Sequence, residues 1–338
     1  MGGRSGRRIL ITGGTGFLGR RVTQAALGRG DAAFVLTRRP DSEEARRLAL
    51  GGARLLLGDV TNRESLRAAF EVARPHDVVH NAGMQALRIG RALRRAMRAV
   101  NVEGVETALS LAVEAGAERI VYVSSTIALG HTGKRIADET FEREAPAASW
   151  YEATRAEALA VARRHQRAGE PIVVALPAHV VGPGDPSFFG VLARRFVRGR
   201  SLPVLWGPDG VSTFVHVDDV GQGILACASV GVPGETYLLA ADFVTTRELM
   251  AIWRSVVGRV PVRLWLPRSL AVAAATIVSP WSGLSPEVVR MGFGAFRYAS
   301  PKASVGLGVS FRSAARAWEE TLRAEPGFNP GGRRAARR

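Results

Sequence analysis

Ile9-Leu10-Ile11-Thr12-Gly13-Gly14-Thr15-Gly16-Phe17-Leu18-Gly19-Arg20 is the stretch whose reading decides the fold. A short apolar run enters a glycine-rich turn, and the turn opens a helical pattern from Phe17 to Arg29. Glycine supplies the positive φ or the close backbone approach that such a turn demands. The first amides of the helix then point at an anion, and the helix dipole adds to the attraction. A dinucleotide pyrophosphate fits that geometry. Two spacings overlap, Gly13-x-x-Gly16-x-x-Gly19 and Gly14-x-Gly16-x-x-Gly19. Their position between a strand and a helix separates them from a glycine-rich surface loop. Gly13, Thr15, Gly16, Phe17, Leu18 and Gly19 are therefore the candidate phosphate cradle.

Outward from this stretch the chain alternates. Strand-like runs at Arg8–Thr12, Ala33–Thr37, Arg54–Leu57, Asp77–His80, Arg119–Ser124 and Ile172–Leu176 are separated by helical patterns. Those helices are predicted at Phe17–Arg29, Ser42–Leu50, Arg63–Ala73, Leu93–Ala115 and Tyr151–Arg167. Short apolar strands alternating with amphipathic helices predict an α/β fold, a Rossmann-type doubly wound parallel sheet covered on both faces. After Pro177 the rhythm breaks at Pro183-Gly184-Asp185-Pro186 and Gly207-Pro208-Asp209-Gly210. A strand over Thr213–Val217 and a helix over Asp219–Ser229 follow, then a mostly helical remainder with short strands near Tyr237–Leu239 and Val262–Trp265. The expected organisation is a nucleotide-binding domain over 7–176, to which 211–240 returns. A smaller, interleaved, mainly helical C-terminal substrate lobe is expected over 177–210 and 241–325.

Composition bounds the function. The 338 residues are enough for a substantial core, and 46% hydrophobic with 22% charged residues is an ordinary globular balance. The lone Cys227 cannot build a disulfide framework, and Met1 to Arg8 contain no apolar leader, so a cytoplasmic location is expected. The apolar run Leu270–Val278 is too short to span a bilayer. The net charge is +16, carried almost wholly by arginine, since Lys134 and Lys302 are the only lysines. Arg4, Arg7, Arg8, Arg333, Arg334, Arg337 and Arg338 put part of it in the ends, read as solvated tails over 1–6 and 327–338. No helix-turn-helix, zinc-finger or RNA-binding signature accompanies the charge, so no specific nucleic-acid partner is expected. His80, His131, His179 and His216 have no metal-ligand spacing, and no metal is expected.

The tip of the second strand selects the nucleotide. It reads Phe34-Val35-Leu36-Thr37-Arg38-Arg39-Pro40, with no acid to bind a free ribose 2′-hydroxyl and with two guanidiniums that can chelate a 2′-phosphate. NADPH is expected over NADH. Asp59-Val60 is expected against the adenine, and Asn81-Ala82-Gly83 closes the fourth strand with small residues that let a cofactor pass near the backbone.

These residues carry a resemblance. Thr12 to Gly19, Gly58-Asp59-Val60, His80-Asn81-Ala82-Gly83, Asn101-Val102-Glu103-Gly104, Val123-Ser124-Ser125, Tyr151-x-x-Thr154-Arg155, Gly182-Pro183-Gly184-Asp185 and Phe214 to Asp219 fall in the order found in the extended short-chain dehydrogenase/reductases of the NAD-dependent epimerase/dehydratase superfamily. The likeness covers about residues 8 to 325. Thr154 to Ala158 and Ala299 to Ala303 resemble the branch of dihydroflavonol reductases and 3β-hydroxysteroid dehydrogenases.

The resemblance implies that Ser125, with Ser124 and Thr126 as neighbours, hydrogen-bonds a substrate carbonyl. It implies that Tyr151 donates a proton as hydride arrives. It also implies cofactor contacts at Asn101, Ser124, Tyr151 and Pro177. Where the family has a lysine that binds the nicotinamide ribose, this chain has Arg155. Arginine keeps the charge and still favours tyrosinate, but it cannot release a proton near neutral pH. Three outcomes stay open: arginine works in the lysine's place, an activated ketone needs little acid catalysis, or NADPH is bound without redox chemistry.

The substrate side is read from aromatic residues and from what is missing. Asp209 to Phe214 lacks the arginine that sugar-nucleotide enzymes of the superfamily carry there. Phe188, Phe189, Trp206, Trp265 and Trp281 in the lobe, with Trp150 beside Tyr151, suit a flat apolar ring system, although most such rings belong to a core. Thr126, Trp150, His179 and Phe188 are the candidate substrate residues. Arg88, Arg91, Arg95 and Arg98 share one helical face without a local acid, which is either a solvated face or a mouth for an anionic group. The expected function is NADPH-dependent reduction of a carbonyl on an apolar cyclic ketone of polyketide, steroid or flavonoid type. The alternatives are a sugar-nucleotide epimerase or dehydratase and a non-catalytic NADPH-binding regulator. A homodimer through two long helices is implied by the resemblance alone.

Overall fold

A computed structural model describes residues 6–86, 90–200, 204–260, 262–282 and 286–329. The first half runs β1 (Arg8–Thr12), α1 (Gly19–Gly28), β2 (Ala32–Thr37), α2 (Glu43–Leu50), β3 (Arg54–Leu57), α3 (Arg63–Ala73), β4 (Asp77–His80) and α4 (Arg91–Arg98). It continues through α5 (Gly104–Glu114), β5 (Arg119–Val123), α6 (Trp150–Arg167) and β6 (Ile172–Pro177). The second half contains β7 (His179–Val181), α7 (Phe188–Val197), β8 (Val204–Trp206), β9 (Val211–His216), α8 (Val217–Ser229), β10 (Thr236–Leu239) and β11 (Phe243–Thr245). The chain closes with α9 (Thr246–Val257), β12 (Leu264–Leu266), α10 (Arg268–Ser282), α11 (Pro286–Met291), β13 (Ala295–Phe296), α12 (Lys302–Leu307) and α13 (Ala314–Arg323).

Seven parallel strands form the main sheet in the order β10-β6-β5-β4-β1-β2-β3. Its inner strands are buried on both faces, which is why they read as unbroken apolar runs. Leu10, Val78, Ile120 and Val174 pack toward Leu66, Leu109 and Leu159 on the side of α3, α5 and α6. Ile9, Val79, Val121 and Val173 pack toward Val22 and Ile224 on the side of α1 and α8. The strand order reverses between β1 and β4, so a crevice opens beyond the carboxyl ends of the strands at that point.

The second half builds a lobe with its own sheet, β11-β9-β13 with β7 on β9, and a separate pair, β12-β8. Around it α7, α9 and α13 enclose Phe196, Phe214, Trp253 and Trp318. The lobe is mainly helical, and β9 adds a small sheet to it by collecting β7, β11 and β13. One expectation changes here: the return to the main sheet begins at α8 rather than at residue 211, since β9 pairs only within the lobe.

The helix predicted over Leu93–Ala115 is three segments: α4, a π-helical turn over Ala99–Glu103, and α5. Arg7 and Arg8, counted with the solvated ends, are anchored. Arg7 donates to Asp77 at 2.6 Å and pairs with Glu118, and Arg8 begins β1. Among the described residues no helix is long and apolar enough to cross a membrane.

Candidate active site

A cleft of about 810 Å³ lies over the carboxyl ends of β1, β2, β4, β5 and β6. At one end sits the glycine turn, with Gly13, Thr15, Gly16, Phe17 and Leu18 on the wall. Gly13 has φ +67°, and a Cβ there would stand 2.8 Å from the Ala82 backbone. The turn is thus pressed against the tip of β4 and cannot take a side chain. Gly19 is not on the wall. A Cβ on it would meet the Gly13 carbonyl at 2.0 Å, so it closes the turn and packs α1 rather than facing a ligand.

Next along the cleft come Arg38 and Arg39, then Asp59 and Val60, then Asn81, Ala82 and Gly83. Arg38 is largely exposed and stands 3.8 Å from Asp59. The Arg39 amide donates to Thr37 Oγ1, which fixes the start of the loop.

The central part holds Ser124, Ser125, Thr126, Tyr151, Arg155 and Pro177. Ser149 caps α6 by accepting from the Glu152 amide, and buried Glu152 pairs with Arg143 at 2.7 Å. This locks the first turn of α6, the turn that carries Tyr151. Arg155, one helical turn on, donates from Nε to the Tyr151 hydroxyl at 3.2 Å, with its guanidinium carbon 5.4 Å from the ring centroid. Burial works against the Arg155 charge, but the Tyr151 and Tyr122 hydroxyls outweigh it and keep the group above its ordinary value. Ser125 accepts from the Ile127 amide and reaches the Pro177 carbonyl at 3.5 Å.

The sequence reading passed over the floor beneath Arg155. Thr12, His80 and Tyr122 lie in one row across β1, β4 and β5. Thr12 Oγ1 accepts from the Ala82 amide and meets His80 Nδ1 at 3.0 Å. Burial, with the Arg155 charge, holds the His80 pKa down at about 3, so this ring is neutral. Burial pushes the Tyr122 hydroxyl up, against the pull of Arg155. His80 Nε2, Tyr122 Oη and Ser124 Oγ are buried without a hydrogen-bond partner. The signal in the sequence was a His and a Tyr inside otherwise apolar strands, a pattern that the apolar-run reading smooths over.

On the lobe side the cleft is walled by His179, Phe188, Phe189, Leu192, Trp206 and Met250, among others. His179 packs edge-on to Phe189 at 5.4 Å, and burial lowers its pKa to about 4. Two expected site residues lie off the cleft wall. Trp150 lies off the cleft, with its indole nitrogen on the Arg94 carbonyl and its ring under the Arg94 guanidinium, because the helix start turns it toward α4. Asn101 is fully buried in the π turn, bonded to the Met84 backbone and to Thr154, and so holds the loop after β4 instead of facing the cleft.

Arg91, Arg95 and Arg98 do not line the cleft either, and Arg88 lies outside the described residues, as does the side chain of Trp281. Arg98 is paired with Glu103 and Glu157, an acid supplied by α6 that a search of the local sequence could not see.

Comparison with known proteins agrees with this arrangement. Residues 9–240 match the family model of the NAD dependent epimerase/dehydratase family. The chain is 29% identical, over 83% of its length and 82% of the relative's, to a 4-hydroxy-2-methyl-3-oxo-4-farnesyl-3,4-dihydroquinoline-1-oxide ketoreductase of Stigmatella aurantiaca. It is 30% identical, over 80% and 81%, to sterol demethylase protein B of Methylococcus capsulatus. Among solved structures, that of gox2253 superposes with a TM-score of 0.79 at 27% identity, covering 94% of this chain and 97% of that one. The glycine turn, the parallel sheet and the matched span give one conclusion: the chain belongs to the NAD dependent epimerase/dehydratase family, as an oxidoreductase of the extended short-chain type.

Proposed function

We propose that this protein is an NADPH-dependent ketoreductase that reduces a carbonyl on an apolar, multi-ring substrate to an alcohol. One observation carries the reading. The cleft is basic only at its nucleotide end and at Arg155, while its lobe wall is built from Phe188, Phe189, Leu192, Trp206, Leu249 and Met250. Arg38, Arg39 and Arg155 are the cations on the wall among the described residues, and the lobe contributes acids instead, Asp185 and Glu287. A substrate diphosphate would find no guanidinium there, whereas a neutral ring system would be well desolvated. Relatives named for a farnesylated dihydroquinoline oxide and for a sterol support the same class.

The glycine turn fits a dinucleotide on its own geometry: glycines pressed on backbone where side chains cannot stand, and the α1 N-terminus beyond. The amides of 13–18 would hold the pyrophosphate, Arg38 and Arg39 the 2′-phosphate, Asp59 and Val60 the adenine, and Arg155 the nicotinamide ribose. When bound, the reduced nicotinamide supplies hydride to the carbonyl carbon. Tyr151 donates its phenolic proton to the carbonyl oxygen, and Ser125 holds that oxygen in place. Arg155 stays protonated throughout and serves as a fixed charge beside the tyrosine.

The test is loss of NADPH absorbance with steroid, flavonoid and aromatic polyketide ketones, run beside UDP- and dTDP-sugars and repeated with NADH. Stoichiometric NADPH consumption with a ring ketone is expected. Conversion of a sugar nucleotide without net cofactor consumption would overturn the proposal in favour of an epimerase or dehydratase. Tight NADPH binding without turnover of any substrate would favour a regulator.

A further inference from the structure

The backbone of Gly83 does not require a glycine. Its φ is outside the left-handed region. What it lacks is room: a Cβ at this position would stand 2.4 Å from Arg155 Nη2, 3.1 Å from Cζ and 3.3 Å from Nη1. The flat guanidinium therefore lies on the bare Cα of residue 83. A lysine ammonium is a single compact head on a thinner stem and makes no such demand for a flat seat.

The second demand of an arginine is for acceptors. A guanidinium carries five N–H groups, and Nε is committed to the Tyr151 hydroxyl at 3.2 Å. The fully buried Tyr122 hydroxyl interacts electrostatically with the guanidinium and makes no other hydrogen bond among the described residues. Tyr122 is held by its strand, in register with His80 on β4, and its ring stacks on the His80 ring at 6.2 Å.

We propose that Gly83 and Tyr122 together form a seat for the Arg155 guanidinium, and that this seat lets an arginine occupy the lysine's place. Gly83 provides the space and the Tyr122 hydroxyl a polar, electrostatically favourable neighbour, and the outcome is that Nε rests on the Tyr151 phenol. Both are positioning residues that act through Arg155. The inference rests on the reductase reading only for its kinetic readout.

The test places Gly83→Ala and Tyr122→Phe each in the natural chain and in an Arg155→Lys background. Each variant is assayed for ketone reduction and, separately, for NADPH affinity by fluorescence titration. Gly83→Ala should fold, because the three atoms nearest the methyl group all belong to the end of a flexible side chain. Tyr122→Phe adds no volume and covers the case in which it does not.

In the natural chain Gly83→Ala is expected to lower kcat by about 100-fold, since ångström-scale displacement of a positioned group has that effect, with the ketone KM little changed. NADPH affinity should weaken as well. Tyr122→Phe should move both quantities in the same direction by less. In the Arg155→Lys background both substitutions should cost under about threefold, because a lysine does not use the seat. Equal losses in the two backgrounds, in turnover and in NADPH affinity, would overturn the seat. If no variant reduces a ketone, the proposed function fails, and the seat still stands or falls on whether the NADPH affinities show the same background dependence.

Discussion

The Tyr151 hydroxyl accepts from the Nε of Arg155, and around these two atoms the proposed chemistry is arranged. Replacing the phenol by phenyl removes the proton donor and leaves the ring packing. Tyr151→Phe should reduce kcat by about 100-fold or more, with the substrate KM nearly unchanged, as read from steady-state rates. A fall in kcat of less than about threefold would mean that the substrate activates its own carbonyl. At the other end of the cleft wall lie Arg38 and Arg39, to which the proposed function gives the 2′-phosphate. The double substitution to alanine should weaken NADPH about tenfold or more in a fluorescence titration and leave NADH within about twofold. Equal weakening of both nucleotides would remove the two arginines from phosphate recognition. Arg38 and Arg39 were legible in the sequence because they follow a strand tip that the alternation fixes, whereas Tyr151 and Arg155, on a helix well beyond β5, were singled out through the family resemblance. His80, Tyr122 and the close approach of Gly83 to Arg155 were not legible, because they depend on which strands lie side by side.

Among the elements, the helical run from α4 through the π turn to α5 shows most clearly what periodicity hides. Ala99-Val100-Asn101-Val102-Glu103 reads as plain helix, and the widened turn becomes visible only through the job it does. It places Asn101 so that one amide group accepts from the Met84 amide at 2.7 Å and donates to the Met84 carbonyl at 2.9 Å and to Thr154 at 3.1 Å. The loop after β4 is in this way tied to the helix that carries Tyr151 and Arg155. Asn101→Ala leaves buried groups unpaired and should cost about 1–3 kcal/mol in chemical denaturation. It should also lower turnover although the residue lies off the cleft wall. A variant as stable and as active as the natural chain would show that the tie has no role. The Trp150 misreading has a related origin. Adjacency to Tyr151 in sequence puts it about 100° around the helix, on the side facing α4 rather than the cleft.

For the molecule as a whole, the main sheet follows from local pattern, whereas the lobe does not. From β1 to β6 each strand of the main sheet is separated by helix from the next, so order and direction are constrained by the crossovers. The lobe sheet gathers β7, β9, β11 and β13 from distant points of the chain, and β13 has only two residues, too few for any alternation to register. The buried floor also makes a whole-molecule property testable. The His80 pKa is about 3 in the fold, against about 6.5 in an unfolded chain. Between those values the unfolded chain takes up a proton that the folded one refuses. This contribution is therefore full above about pH 6.5 and falls, by about 1.4 kcal/mol per pH unit, as the pH drops toward 3. Denaturant midpoints near pH 7 and near pH 5 should fall further for the natural chain than for His80→Gln. Equal falls would mean that His80 is not held neutral by burial.

The central claim is that hydride passes from NADPH to a ring ketone with Tyr151 as the acid. The most direct measurement is transfer of deuterium from nicotinamide-deuterated NADPH into the product alcohol, with the natural chain and Tyr151→Phe side by side. The account predicts one deuterium on the carbinol carbon from the natural chain and a rate lower by about 100-fold in the variant. Product without deuterium, or equal rates from the two proteins, would contradict it.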